Sequence, residues 1–418
     1  MLDNVERFDM AKKPTRQLLR PLMWTLCFPD LIAHRQKLEK INMEGIKPPY
    51  LLLCNHNAFM DFKVALKASF PHRANYVIAI DGFIGREGLL RAVGGICKRK
   101  FTNDITLVRQ LKAVVDNGDI ATIYPEARYS LCGTTAVLPA SLGKLAKLLK
   151  VPVVTLICHG HHINSPFWNV HDRKVKGVTA TMKCIATADE IKTISVPELN
   201  DRIKKEFEYD DFKWQKENGI LVKYPKRAEG LHKVLYQCPH CGVEYKMTSH
   251  LDTLSCTACG KEWQMLETGE LRAKDGETEF SHIPDWYEWE RLNVRKEVQN
   301  GTYFVSSPSV VNALPNAKKF IDIGAAKFTH DMNGFSLEGE YDGEKYSVHI
   351  PVPSAYSVHI EYEYLGKYGD CVDLNTLTDT LYVHPLDENV AVTKIALATE
   401  ELYDDYVKKN QVKKKTEE

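Results

Sequence analysis

Hydrophobic and polar positions follow two different periods along this chain. From about residue 50 to 186, short apolar runs alternate with segments of helical periodicity, and the runs lie at 51–54, 76–80, 120–124, 153–158 and 178–185. Runs of this length predict buried strands, and their alternation with helices is typical of βαβ units with a largely parallel sheet. The sequence therefore predicts an α/β first domain over residues 1–230.

Two of the connecting helices have clear signals. Asn103 is a suitable N-cap for the first helix, and Asp104 suits its positive end. Its apolar positions recur at intervals of three and four, at Ile105, Val108, Leu111 and Val115. A second amphipathic pattern predicts a helix over residues 140–149.

The pattern changes after residue 230. A compact cysteine-rich module occupies residues 236–271, and a Trp-rich helix opens at Pro284. Beyond Gly301, hydrophobic positions alternate with period two, which predicts a small antiparallel β domain that ends in a helix at 399–407. The predicted organisation is thus a zinc ribbon at 236–271, a helix with a β domain over 284–410, and a disordered tail at 411–418.

Composition restricts the function. The 418 residues include 55 basic and 55 acidic side chains, so the net charge of zero does not favour wholesale nucleic-acid binding, and no nucleic-acid partner is expected. Eleven cysteines, seven of them scattered, indicate a reducing compartment. The first residues lack the basic region of a secretory signal. These features predict a cytoplasmic protein.

The N-terminal segment 12–35 combines leucines with Trp24, Arg16 and Arg20. Its longest apolar run is interrupted by Arg20 and Pro21, so no membrane-spanning helix is predicted. An interfacial helix on a membrane surface and a helix that covers the enzyme core remain equally good interpretations. The first would place the protein on the inner face of the cell membrane.

His56 directly follows the apolar run 51–54, and Asp61 comes five residues later. Transfer of an acyl group from a thioester to a hydroxyl needs a base near neutral pH, and a carboxylate on the other ring nitrogen orients that base. On one ideal helix the two side chains would diverge by about 140°. We therefore expect His56 in a loop and Asp61 in the first turn of the following helix.

Two further segments are expected at the same sheet edge. Glu126, Arg128 and Ser130 follow the apolar run 120–124, where an arginine can grip a phosphate and a glutamate can bond an acceptor hydroxyl. A surface salt bridge between Glu126 and Arg128 is the alternative. Between the two motifs, Arg99 and Lys100 belong to a basic cluster that follows a glycine turn. This cluster is either a phosphate site or a solvated face.

Taken together, residues 40–190 resemble the glycerolipid acyltransferase family typified by 1-acyl-glycerol-3-phosphate (lysophosphatidate) acyltransferase. Four ordered segments carry the resemblance: 55–61, 94–100, 124–130 and 151–154. It implies His56 as catalytic base with Asp61, the second and third segments as binding sites for the acceptor phosphate, and acyl-CoA or acyl carrier protein as donor. The third segment has Ala127 where the family has glycine, and it brings Arg128 one position earlier.

Four cysteines form two Cys-x-x-Cys-Gly knuckles that are separated by 14 residues; they are Cys238, Cys241, Cys256 and Cys259. Each knuckle offers two thiolates from a tight turn, so the pair predicts a closed structural zinc site. Iron in a rubredoxin-like site is the alternative. His159, His161 and His162 are expected in a polar loop or the wall of a substrate channel rather than in a metal site.

The sequence thus predicts a membrane-peripheral O-acyltransferase that acylates the hydroxyl of a lysophospholipid. Two alternatives remain. One is the same chemistry on a non-phosphorylated alcohol or amine. The other is a zinc-ribbon module that binds nucleic acid or protein and carries an inactive acyltransferase-like domain, with salt-sensitive nucleic-acid affinity as its mark.

Overall fold

Seven strands form one mixed sheet in the N-terminal unit, which comprises residues 9–98 and 104–222. The computed structural model describes residues 5–12 and 17–417, with side chains to residue 411. The strands are β1 (Lys37–Ile41), β2 (Leu51–Cys54), β3 (Ala74–Ala79), β4 (Gly95–Lys98), β5 (Ile120–Ile123), β6 (Val153–His159) and β7 (Thr179–Ala186). Their order is β1-β7-β6-β2-β5-β3-β4. Only β6 and β7 pair antiparallel; the other neighbours are parallel.

The described residues of this unit form nine helices: α1 (Arg20–Ala33), α2 (Met60–Ser69), α3 (Glu87–Ala92), α4 (Ile105–Asp116), α5 (Leu142–Leu149), α6 (His161–Asn164), α7 (Ala188–Thr193), α8 (Val196–Glu206) and α9 (Asp211–Glu217). A 3-10 turn covers Ile80–Phe83. Asp104, not the predicted Asn103, caps α4, because the Asp104 carboxylate accepts a hydrogen bond from Thr106 N. Strand β1 is polar enough to have escaped prediction, with Lys, Glu and Lys among its five residues.

The centre of the sheet positions the site. Strands β6, β2 and β5 are adjacent and parallel, so their carboxyl ends meet at one edge. All four residues of β2 and all four of β5 are buried, since helices cover both faces of such a sheet. The loops that follow these three strands therefore lie side by side, where ligand sites in open α/β sheets are usually found.

The C-terminal unit contains two antiparallel sheets. It comprises residues 223–417 with the segments 5–8 and 99–103. One sheet has the order β11-β10-β9-β8, from β8 (Met247–His250), β9 (Thr253–Cys256), β10 (Glu262–Met265) and β11 (Leu271–Ala273). The other has the order β15-β14-β13-β12-β18-β17-β16, from β12 (Phe304–Ala313), β13 (Ile321–Asp331), β14 (Gly334–Tyr341), β15 (Glu344–Pro351), β16 (His359–Glu361), β17 (Cys371–Asn375) and β18 (Thr380–Pro385).

Two long helices complete the C-terminal unit, α10 (Ile283–Gln299) and α11 (Val392–Glu417). Short 3-10 turns lie at Leu231–Lys233, Val352–Ser354 and Tyr364–Gly366. Helix α11 is longer than the closing helix predicted from sequence. Glu418 lies outside the described residues, and the disordered tail at 411–418 stays a prediction.

The predicted mixture is confirmed: a parallel-rich α/β sheet comes first and an antiparallel sheet follows. The units divide between Val222 and Lys223, and the cysteine module shares one unit with the β domain. Among the described helices, none has the length and apolar character needed to cross a membrane.

Candidate active site

His56 lies in the loop between β2 and α2, and Asp61 lies in the first turn of α2, as the sequence analysis expected. His56 Nδ1 is 3.4 Å from Asp61 Oδ2. This separation is within ion-pair reach but long for a hydrogen bond, and such contacts commonly tighten only when substrate binds. The His56 side chain is 22% exposed, whereas Asp61 is fully buried. The imidazole can therefore meet a ligand while the carboxylate stays away from water.

Asp61 is held by donors on both oxygens. Oδ2 accepts hydrogen bonds from Asn57 N at 2.5 Å and Ala58 N at 2.9 Å. Oδ1 lies 2.5 Å from His161 Nδ1. Burial alone would raise the pKa of Asp61, but the neighbouring imidazoles, His161 first and His56 second, lower it to about 2. Asp61 is therefore ionised at neutral pH even though it is buried.

His161 was predicted in a polar loop or a channel wall, and the structure places it instead as a buried partner of Asp61. It opens α6, directly after β6, and its side chain is fully buried. The sharp turn into α6 needs Gly160, which has φ +84°, and a Cβ there would lie 2.7 Å from the Trp214 ring. Because β6 is adjacent to β2, this turn brings His161 to Asp61. The sequence signal for His161 was the histidine-rich segment at the end of β6. Its acidic partner, Asp61, lies 100 residues earlier in the chain, so no local pattern connects the two.

Asparagine and aspartate side chains tie the strand ends together. Asn55 and Cys158 exchange two hydrogen bonds, Asn55 Nδ2 to Cys158 O at 2.9 Å and Cys158 N to Asn55 Oδ1 at 2.8 Å. Asp211 accepts from Gly160 N at 3.0 Å and from His162 N at 2.8 Å. Burial raises the pKa of Asp211 to about 7. The loops after β2 and β6 are thus fixed relative to each other.

Two tyrosines flank the His56 ring. The centroids of Tyr124 and Tyr129 each lie 4.3 Å from that of His56, at interplanar angles of 33° and 41°. Tyr124 ends the β5 run, and Tyr129 also contacts Phe167 at 5.9 Å. An imidazole between two rings is restricted in rotation. The aromatic surroundings favour an uncharged or apolar portion of a ligand near the ring.

Glu126 and Ser130 support the His56 loop. Glu126 is fully buried, and it accepts hydrogen bonds from His56 N at 3.1 Å and Ala136 N at 2.8 Å. Ser130 N donates to His56 O at 2.8 Å, and its Oγ donates to Thr134 O. Both residues were predicted to hold the acceptor. In the structure Glu126 also accepts a hydrogen bond from the Tyr209 hydroxyl at 3.3 Å, and Ser130 Oγ accepts one from Gly133 N at 3.0 Å.

The predicted cations are also buried or paired. Arg128 is only 3% exposed. Arg99 belongs to the C-terminal unit and is 2% exposed; its guanidinium donates to Leu314 O, Pro315 O and Thr380 Oγ1. Lys100 Nζ lies 3.9 Å from both Glu361 and Asp373 in that unit. These placements argue against the predicted phosphate contacts of Arg99 and Lys100.

The four ribbon cysteines converge in the C-terminal unit. Their sulfurs lie within 4.8 Å of one another, with Cys238 to Cys259 and Cys241 to Cys256 both at 3.8 Å. A tetrahedron with zinc–sulfur bonds of about 2.3 Å has edges of about 3.8 Å. The geometry is therefore compatible with one zinc ion held by four thiolates.

The two knuckles have the same backbone pattern. Gly242 N donates to Cys238 O and Gly260 N donates to Cys256 O, both at 2.9 Å. The glycines have φ of +76° and +77°, a conformation that side chains rarely adopt. This repetition explains the glycine after each Cys-x-x-Cys pair.

Within the described part of the chain, two other clusters have metal-ligating side chains. One contains Asp61, Cys158 and His161. Its Nδ1 to Oδ1 distance of 2.5 Å is shorter than the roughly 3 Å expected between two ligands of one metal, so we assign a hydrogen bond. The other contains His359, Glu361 and Asp373. There Lys100 and His359 already face the carboxylates, which leaves little charge for a cation to neutralise.

No protein-family model matches the chain, and no curated protein matches its sequence. A solved structure with a similar fold is the 1-acyl-sn-glycerophosphate (LPA) acyltransferase PlsC from Thermotoga maritima, at 15% identity and a TM-score of 0.37. The match covers 45% of this chain and 76% of that one. A likeness this distant carries no weight for function.

Proposed function

We propose that the N-terminal unit is an O-acyltransferase that moves a fatty acyl group from a thioester to a lipid hydroxyl. The observation that carries the proposal is the partly exposed His56, whose Nδ1 faces the buried, ionised Asp61 at a sheet edge. A base that is accessible on one side and oriented by a carboxylate on the other suits removal of a hydroxyl proton.

In the proposed mechanism, the second ring nitrogen of His56 takes the proton of the acceptor hydroxyl as its oxygen attacks the thioester carbonyl. Asp61 stabilises the imidazolium that forms. The tetrahedral intermediate then collapses, the carbon–sulfur bond breaks, and the thiolate leaves with the proton that His56 returns. No acyl-enzyme forms. Donors of the acyl-CoA or acyl carrier protein type supply the thioester.

The proposed acceptor is a lysophospholipid such as 1-acyl-glycerol-3-phosphate, reached from a membrane surface. Support for the surface comes from apolar side chains around α1 that face solvent: Leu18, Leu22, Leu26 and Ile32 are 79%, 47%, 64% and 75% exposed. Leu22 and Leu26 are spaced by four residues within α1 and so share one face, and Leu18 lies just before the helix begins. A stripe of this kind suits the boundary between headgroups and acyl chains.

A second candidate is the same transfer to a non-phosphorylated alcohol or amine. Three observations favour it: the Arg99 guanidinium donates to carbonyl oxygens, Lys100 lies 3.9 Å from a carboxylate, and the Tyr129 ring lies 4.3 Å from the His56 ring. A phosphate would need at least one accessible cation near the base. An acceptor panel that contains lyso-lipids with and without phosphate separates the two candidates.

The test is transfer of labelled acyl groups from acyl-CoA to that panel by purified protein. His56→Ala should lower turnover by at least about a hundredfold, the lower bound for a general base. His72→Ala is the matched control, since His72 is an exposed histidine of the same unit. Unchanged turnover in His56→Ala would contradict the proposed mechanism. Absence of transfer to any acceptor by the wild-type protein would contradict the proposed function.

A further inference from the structure

The Asp61 carboxylate faces two imidazoles of opposite character. His56 is 22% exposed and approaches Oδ2 at 3.4 Å, whereas His161 is fully buried and approaches Oδ1 at 2.5 Å. The buried ring is therefore the closer partner. Its Nδ1 carries a hydrogen, because an ionised carboxylate can only accept.

The position of His161 is fixed by its surroundings. Asp211 accepts hydrogen bonds from the backbone on both sides of it, at Gly160 N and His162 N. The paired bonds between Asn55 and Cys158 hold the end of β6 against the end of β2. Neither set of hydrogen bonds involves the His161 ring. The backbone bonds therefore fix the position of His161, and its Nδ1 is available to bond Asp61.

We propose that His161 is a positioning residue that fixes Asp61 and thereby sets the orientation and basicity of His56. With Oδ2 on the Asn57 and Ala58 amides and Oδ1 on His161, the carboxylate cannot rotate. Each of these bonds also draws electron density from the carboxylate, so it holds the protonated His56 ring less tightly than a free carboxylate would. This inference rests on the proposed function, in which His56 is the base.

Several titratable groups surround His56. Asp61 faces it from α2, and Tyr124, Glu126 and Tyr129 face it from the segment after β5. His161 contacts Asp61, and Asp61 in turn faces His56, which gives a direct route by which a change at His161 reaches His56.

Two substitutions and a control test the proposal in the full-length protein. His161→Leu removes the donor, and His161→Asn keeps an amide donor close to the position of Nδ1. His162→Leu is the matched control, because His162 is equally buried and its ring contacts Trp168 and Phe212 rather than Asp61. Turnover, KM and their pH profiles are measured, and ring resonances of His56 are followed by NMR as a function of pH.

In His161→Leu we expect turnover to fall roughly tenfold or more, with little change in KM, as part of the contribution of a general base. Asp61 then binds the protonated His56 more strongly, so the acid limb of the activity profile and the NMR titration of His56 both move to higher pH, by about half a unit or more. His161→Asn should restore most of both, and His162→Leu should move neither midpoint.

The inference fails if His161→Leu leaves both midpoints where they are in the wild type, or moves them no more than His162→Leu does. If His161→Leu does not fold, His161→Ala is measured in its place: shifted midpoints with low turnover support the role, and wild-type midpoints and turnover contradict it. The NMR titration also works without activity. A wild-type protein that transfers no acyl group overturns the proposed function, while a His56 titration that moves in His161→Leu still supports the coupling.

Discussion

Two carboxylates lie fully buried at the same sheet edge, and their pKa values move in opposite directions. Burial raises the pKa of Glu126 to about 8, although hydrogen bonds from Ala136 N and His56 N oppose the shift. Burial acts on Asp61 as well, but His161 and His56 lower its pKa to about 2. The difference is the kind of donor: Asp61 has imidazoles that can carry charge, and Glu126 has neutral amides and the Tyr209 hydroxyl. Asp61 is thus equipped to support a charged base, and Glu126 to stay neutral.

The raised pKa of Glu126 predicts a stability that falls with pH. Its ordinary value is 4.5 and its folded value is about 8. Between these pH values the folded protein keeps a proton that the unfolded chain has released, so the free energy of unfolding decreases as pH rises through this window. Glu126→Gln removes the titration. We expect the variant to be less stable than the wild type near pH 5, because its amide nitrogen replaces an oxygen that accepts a backbone N–H. The wild type should lose this advantage as pH rises to 9, with a change in the difference on the order of a few kcal/mol.

Urea unfolding at several pH values measures this difference. Glu39→Gln is the control, since Glu39 is exposed on β1 and should leave the pH slope unchanged. Parallel slopes for wild type and Glu126→Gln would mean that the backbone donors keep Glu126 ionised in the folded protein.

At the scale of elements, α1 has two apolar faces with different partners. Cys27 and Leu31 are buried, and the Trp24 ring packs edge-on at 4.7 Å against that of Phe70, the residue that follows α2. Leu22 and Leu26 face solvent on the same helix. The buried face of α1 therefore covers the core of the N-terminal unit, which was one of the two interpretations of the sequence. The exposed face is accessible to a surface outside the unit, such as a membrane. The predicted segment 12–35 includes residues 13–16, which lie outside the described residues.

The exposed face predicts membrane binding that depends on Leu22 and Leu26. Burial of one leucine is worth about 1.5–3 kcal/mol, so replacement of both by glutamate should weaken binding to anionic phospholipid vesicles by at least about a hundredfold. Sedimentation with vesicles measures the bound fraction. Leu377→Glu is the control, because Leu377 is 65% exposed and belongs to the C-terminal unit. Equal vesicle binding by the double variant and the wild type would show that Leu22 and Leu26 do not contribute to membrane binding.

What the sequence could predict at this scale depended on how local the determinants are. The end of β2, the His56 loop and the first turn of α2 follow within a dozen residues, so the placement of Asp61 was predictable. His161 was not, because it meets Asp61 only through the β2–β6 pairing. Arg99 was assigned to a phosphate because its partners Leu314 and Thr380 lie more than two hundred residues downstream. A sequence pattern at a strand end predicts where a residue lies along the backbone. The contacts of its side chain depend on how elements that are distant in sequence pack.

For the whole molecule, the chain divides its tasks between two units. All residues proposed for acyl transfer belong to 9–98 and 104–222, and the four ribbon cysteines belong to the other unit. The short excursion at 99–103 gives Arg99 to the C-terminal unit, where it satisfies the carbonyl oxygens of Leu314 and Pro315. Arg99, which was predicted as a substrate-binding residue, is thus part of the fold of the C-terminal unit.

This division predicts separate consequences when metal is removed. The ribbon has small strands of three or four residues, so the free energy of metal binding, about 10–16 kcal/mol in zinc-finger peptides, should appear as folding energy of the C-terminal unit. We expect one zinc per chain, lost in Cys241→Ser and Cys256→Ser and kept in the control Cys184→Ser.

A chelator should lower the unfolding temperature of the C-terminal unit, while acyl transfer at His56 should persist at temperatures below the transition. Elemental analysis, calorimetry and the transfer assay measure these three results. A visible absorption band with iron in place of zinc would assign a rubredoxin-like centre, and full metal content in Cys256→Ser would remove the four-thiolate site.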